Sequence, residues 1–319
     1  MYASLEWRGS GDGSALYRAF FSPLLVGQDP TQINALLPQI NKCVAANPFT
    51  KSALEMALWD ILGKAAGLPV YQLLGGAVRD FVTTKFSVSG VEPPQAAAIA
   101  TWAVEQGFRT MKVKVGIEPD SDVARVRAVR EAVGPDIRLG VDANGGWTRR
   151  LPFRQSIGCS TMISTLPSNQ SPRWTLTGWP MCGARCRFRS WPMKAFIRCK
   201  MPLPLRAPTP PMCSLFMWAK GALRRRAIAA VAEAAGLVCT VGSNLELGIG
   251  NAAMIHLALA TAAIAAERFP CDILSPFYYE SDLLTEPLPI EAGRATAPDG
   301  PGLGVTLDDK LVERYRNDK

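Results

Sequence analysis

Residues 110–148 read TMKVKVGIEPDSDVARVRAVREAVGPDIRLGVDANGGWT. Met111, Val113 and Val115 alternate with Lys112 and Lys114, so a strand here puts both lysines on one face. Val123, Val126, Val129 and Val133 follow at helical spacing, and Gly134-Pro135 ends that run. Ile137 to Val141 is a second short apolar run, with Asp142 where it stops. Strand, helix and parallel strand make one unit of an α/β fold. The plain reading of Lys112 and Lys114 is a solvated strand face, with Asp142 capping the next turn. A parallel sheet, however, is covered on both faces, so two lysines there need a reason. Polar residues at the C-terminal strand ends of a barrel are where chemistry sits. Mutual repulsion and desolvation would lower the pKa of both amines, as a general base requires.

Working outward toward the N-terminus, Pro94 to Glu105 reads as a helix that Gly107 breaks, and VTTKFSV (82–88) as a strand. Two successive strand–helix units favour a (β/α) barrel. Thr50 to Ala66 is a strong helix with Leu54, Leu58, Ile61 and Leu62 on its buried stripe. Gly67 and Pro69 stop it. Tyr17–Leu25 and Thr31–Ala45 are weaker helices. On the other side, Ala222–Ala235 reads as a helix, Val238–Val241 as a strand, GSNLELGIG (242–250) as a loop and Asn251–Ala266 as a helix. The single histidine, His256, lies in an apolar helical pattern and reads as packed rather than catalytic.

The 319 residues can bury a barrel-sized core. No stretch is apolar for long enough to span a bilayer, and the start has no signal-peptide core, which points to a cytoplasmic protein. The eight cysteines lack metal-ligand spacing, since Cys182 and Cys186 have no partnering Cys/His pair.

The net charge of +8 has one source. Between Asp142 and Glu233 there is no acidic residue, while that interval holds 15 Lys and Arg. The rest of the chain carries 20 basic and 27 acidic residues. A basic block such as 149–226 raises the alternative of nucleic-acid or other polyanion binding. The stretch between Asp142 and Glu233 has arginines and five of the eight tryptophans but no regular period, which argues against that alternative.

The stretches NPFTKSALEMALWDILGKAAGLPVYQLLGG (47–76), MKVKVG (111–116), VDANGGW (141–147), GSNLELGIG and PDGPGLGV (298–305), in this order, resemble the muconate cycloisomerase and mandelate racemase branch of the enolase superfamily. The resemblance implies a modified (β/α) TIM-type barrel with an α+β capping domain. It implies Mg²⁺ on three strand-end carboxylates and removal of a proton α to the carboxylate of a small substrate. The metal would stabilise the resulting enediolate. By the same resemblance Lys114 is the general base, Lys112 the lysine that tunes it and Asp142 the first metal carboxylate. Asn144 is its neighbour in the strand-end loop, and Glu246 the acidic residue near the eighth strand end. Phe20–Phe21 and Pro48–Phe49 fall in capping loops that read substrate, Phe49 being the candidate contact. The expected domains are a partial cap over 1–80, the barrel over 81–280 and a segment over 281–319 that returns to the cap. The cap lacks its first strands, so the chain reads as N-terminally truncated. Homo-oligomers are common in the family.

Two family motifs, E-Q-P and A-D-E-S, are absent. Thr161–Trp174 can be encoded so that the neighbouring frame reads YDDLYFAEQPVAPW, and Arg187–Leu203 so that it reads SIPVMADESVYTLQDAA. The lost Glu then falls at 167/168 and the lost Asp at 192/193, so the steps from 142 to 168 and from 168 to 193 are 26 and 25 residues. We expect residues 149–221 to be frame-shifted, barrel units three to six to be disrupted, and two of three metal carboxylates to be missing. Mg²⁺ would then bind weakly and activity would be impaired. In the same frame Phe216-Met217 encodes Tyr or His where many relatives have a second lysine. That favours one-base chemistry, cycloisomerisation or dehydration of the hydroxyproline-dehydratase kind, over racemisation. A non-catalytic relative is the remaining alternative.

Overall fold

The computed structural model describes residues 13–142, 162–164, 212–216, 224–234 and 238–315. The chain opens with α1 (Gly13–Leu16), a π-helical turn over Tyr17–Phe21 and α2 (Ser22–Leu25). Next come α3 (Ile33–Cys43) and α4 (Pro48–Ala66). Pro48 opens α4, and Gly67 at φ 67° closes it by donating its N–H to the last-turn carbonyls. Phe21, Ile33, Leu36, Ile40 and Leu58 make a small core between these helices. The short α5 (Val70–Leu73) leads to the barrel.

The strand expected over 82–88 forms as β1 (Val82–Thr83) and β2 (Phe86–Val88). Then follow α6 (Pro93–Glu105), β3 (Thr110–Lys114), α7 (Pro119–Val133) and β4 (Arg138–Asp142). β2, β3 and β4 are parallel neighbours, with Ser87 opposite Lys112 and Lys114 opposite Asp142. Helices α6 and α7 cover the sheet, packing Ala96, Ala100, Val126 and Val129 against Phe86, Met111 and Val113. The Glu118 carboxylate caps α7 by accepting from the Asp120 and Ser121 N–H groups at 3.2 and 2.7 Å.

β5 (Met162–Ser164) pairs antiparallel with β4, where a regular barrel would continue in parallel. β6 (Met212–Phe216) pairs parallel with β7 (Val238–Gly242), with α8 (Arg224–Ala234) between them in sequence. Most of the interval expected to be frame-shifted, with most of its basic residues, lies outside the described residues.

α9 (Gly248–Ala260) stops six residues before the expected end at Ala266. Residues 261–266 turn away instead: the Cys239 N–H donates to Ala263 O at 2.9 Å and the Ala265 N–H to Cys239 O at 3.0 Å. The Arg79 guanidinium donates to the Ala258, Thr261 and Ile264 carbonyls, taking the place of a further turn. The next extended segment, at Cys271–Asp272, closes the barrel. The Cys271 N–H donates to Thr83 O and the Asp272 N–H to Val241 O, both at 2.9 Å. Thr84 and Cys271 form a parallel bridge.

The tail then returns to the front of the chain. β8 (Ile290–Glu291) and β9 (Arg294–Ala295) form a hairpin whose second strand pairs antiparallel with β1. Gly302 bridges Pro69, and α10 (Asp309–Tyr315) ends the described chain. The largest core joins Val70, Leu74 and Val82 to β7, α9 and Leu303. No helix among the described residues is long and apolar enough to cross a membrane.

Candidate active site

Lys112 and Lys114 stand on one face of β3, as their alternation requires, and that face looks into the barrel. Gly140, opposite Lys112, presents no side chain there. Lys114 and Asp142 are register partners, and the Lys114 ammonium donates to Asp142 Oδ2 at 2.9 Å. Lys112 Nζ lies 3.5 Å from the same oxygen. Beyond Lys114 the backbone is pinned by a buried pair on α7. Asp122 Oδ2 accepts from the Gly116 N–H at 2.7 Å, while Arg125 holds Asp122 Oδ1 at 2.7 Å and the Lys114 carbonyl at 3.2 Å. The strand end carrying the lysine is thus fixed from the helix that follows it.

Two further charged groups, not singled out in the sequence, complete this cluster. Lys112 donates to Asp272 Oδ2 at 3.0 Å. Lys85, between β1 and β2, lies 3.2 Å from Asp272 Oδ1 without hydrogen-bond alignment, and donates to the Pro270 carbonyl at 2.5 Å. A lysine inside the strand pattern VTTKFSV was a usable signal for Lys85, by the same argument that singles out Lys112. Asp272, in the aperiodic CDILSP, carried none.

The electrostatics correct the expectation that both lysines of the pair are lowered. Lys114 is lowered, first by burial and then by the Lys112 charge. Lys112 is raised: burial pushes it down, but Asp272 and Asp142 together outweigh burial. Lys85 is lowered by burial, against the pull of Asp272. Burial would raise Asp272, but Lys112 and Lys85 hold it below the usual carboxylate range.

Glu246 follows β7, the last strand but one around the barrel, rather than the closing strand end where the sequence placed it. Its Oε2 accepts from the Ser243 hydroxyl at 2.6 Å and the Asn244 N–H at 3.0 Å, while Oε1 is buried with no protein partner among the described residues. Burial raises its pKa, and the Asp272 charge adds to the rise. The structure therefore brings together Lys112, Lys114 and Asp142, with Glu246 within electrostatic range of Asp272. Phe49 lies half-buried in the first turn of α4, and Asn144 lies outside the described residues.

His256 is fully buried on α9 and packed, as its pattern implies. Its Nδ1 accepts from the Tyr71 N–H at 3.3 Å, and its Nε2–H donates to Leu303 O at 3.2 Å.

The side chains present among the described residues do not fit a divalent-cation site. No group of three or more His, Cys, Asp or Glu side chains is arranged for a metal among the described residues. Asp142 Oδ2 is engaged by two ammonium groups. The sequence offers no carboxylate between Asp142 and Glu233.

Comparison with known proteins agrees with this architecture. The Enolase C-terminal domain-like family matches residues 95–154 and 216–311, passing over the stretch between. The Mandelate racemase / muconate lactonizing enzyme N-terminal domain matches residues 14–75. The chain is 30% identical over 296 residues to L-Ala-D/L-Glu epimerase of Bacillus subtilis (strain 168), covering 89% of this chain and 77% of that protein. It is 29% identical over 308 residues to muconate cycloisomerase 1-1 of Acinetobacter lwoffii, covering 94% and 79%. Among solved structures, N-succinyl Arg/Lys racemase from Bacillus cereus ATCC 14579 superposes with a TM-score of 0.72 at 23% identity, covering 96% of this chain and 82% of that one. The chain belongs to the mandelate racemase / muconate lactonizing enzyme branch of the enolase superfamily, whose members pair a capping domain with a TIM-type barrel.

Proposed function

We propose that this chain carries the proton-abstraction half of a family active site and lacks most of the metal half. In this reading Lys114 is the base that takes a proton from the carbon α to the carboxylate of a small substrate. Lys112 is the neighbour whose fixed charge makes the Lys114 proton labile. The single observation that carries the reading is the Lys112–Lys114 face of β3 ending against Asp142 of β4. Glu246 sits within range to polarise the site from the far side, and Phe49 and Asn144 belong to the segments that would meet the substrate.

The family is generally Mg²⁺-dependent, and a metal supplies charge stabilisation to the deprotonated carboxylate. One carboxylate already shared by two ammonium groups does not supply the oxygen ligands a divalent ion takes. We therefore propose that turnover by this chain is impaired, and that residues 149–221 carry a shifted reading frame. The break in the family match between residues 154 and 216 supports that interval.

The test follows α-proton exchange by ¹H NMR in D₂O with Mg²⁺, using L-Ala-D-Glu, an N-succinyl amino acid and muconolactone as probes. The chain as written should give no exchange above buffer. The same chain with codons 149–221 restored to the neighbouring frame should exchange one probe. Lys114→Met in that restored chain should slow exchange by roughly 10²–10⁴-fold, the usual contribution of a positioned base. Exchange that survives Lys114→Met would overturn the base assignment, and full activity of the unrestored chain would overturn the impairment.

A further inference from the structure

The charged groups at the barrel mouth alternate in sign along one line. Lys85, Asp272, Lys112, Asp142 and Lys114 follow one another at 3.2, 3.0, 3.5 and 2.9 Å. They come from the first strand, the closing segment, β3 and β4, so the line runs across the barrel rather than along one element. Its inner part is buried: the side chains of Lys85, Asp272 and Lys112 are 4%, 5% and 7% exposed. A buried ammonium holds its charge only against an anion. Lys112 has its shorter contact with Asp272, not with Asp142, whose Oδ2 is nearer to Lys114. Lys112 and Lys114 both also contact the same Asp142 oxygen.

We propose that Asp272, braced by Lys85, is a positioning residue of this site: it holds the Lys112 ammonium from inside the barrel and so sets where Lys114 sits on Asp142. The brace acts twice. Lys85 contacts Asp272 Oδ1 and also donates to the Pro270 carbonyl two residues earlier, fixing both the carboxylate and its strand. The Asp272 N–H on Val241 O fixes that strand from the other side. The proposal rests on the reading of Lys114 as the base, but its geometry is tested without turnover.

The experiment uses the whole chain labelled with ¹⁵N-lysine and ¹³C-aspartate. In the unmodified protein at neutral pH, Lys85 and Lys112 should give slowly exchanging ammonium cross-peaks, assigned by their loss in Lys85→Met and Lys112→Met. A scalar coupling through the hydrogen bond should link Lys112 Nζ to the Asp272 carboxyl carbon. A coupling to Asp142 alone overturns the proposal, and this readout needs no variant that might fail to fold. In Asp272→Asn the Lys112 cross-peak should vanish. The acetic-anhydride labelling rate of Lys114 relative to exposed Lys64 should change at least threefold, and Asp272→Glu should bring it back. An unchanged ratio in a folded Asp272→Asn protein overturns the positioning role. An inactive Lys114 would leave these readouts intact and fail only the exchange assay above.

Discussion

His256 pays for its burial in acid. Its pKa falls from 6.5 to about 4, chiefly because burial disfavours the imidazolium, partly offset by the Leu303 carbonyl. Between those values the unfolded chain binds the proton and the folded chain does not, so stability rises with pH across the window and is lost as pH falls through it. The full effect is about 3 kcal/mol, present above the unfolded value. Urea unfolding at pH 4 to 7 should show this slope, and His256→Gln should flatten it. An unchanged slope would mean that other groups carry the acid sensitivity. At this same scale the sequence marked Lys112, Lys114 and Asp142, because strand alternation and a strand end are local signals. It could not mark Asp272, whose partner Lys112 is 160 positions away. The missing counter-ion also explains why both lysines looked lowered from sequence, when only Lys114 is.

Helix α4 meets the returning tail at two glycines. A Cβ on Gly63 would sit 2.6 Å from Gly302 Cα and 2.8 Å from the Leu68 carbonyl oxygen, both backbone atoms that cannot rotate aside. Gly63→Ala should therefore cost about 1–3 kcal/mol by overpacking. Gly67→Ala, at φ 67° with open space around it, should cost only about 1 kcal/mol from backbone strain. Chemical denaturation of the two variants separates these causes; equal losses would mean that the contact with Gly302 yields. Element ends were legible wherever chemistry marks them, as at Pro48 and Gly67 for α4 and at Gly134 for α7. They were not legible in the alanine-rich run after Gly248. There Arg79 and the pairing with Cys239, both set by tertiary structure, end α9 at Ala260.

For the whole molecule, the strand–helix repeats before residue 142 made the barrel readable, while its closure depends on contacts that no local pattern records. Those contacts join the two ends of the chain directly. Val70, Leu74 and Val82 share one core with β7, α9 and Leu303, and the Asp60 carboxylate accepts from the Leu303 N–H at 2.8 Å. Residues 1–142 and 238–319, co-expressed as separate polypeptides, should therefore co-purify as a complex. Recovery of each alone would mean that the intervening sequence is needed to hold them.

The same closure sets a timetable for synthesis. Thr84 reaches its partner Cys271 only after almost all of the chain has been made. At about 5–20 residues per second, that separation of roughly 190 residues takes on the order of 10–40 s of translation. Throughout that time the first barrel strand must wait with one edge unpaired, so the nascent chain is open to wrong partners for longer than a protein built from local contacts.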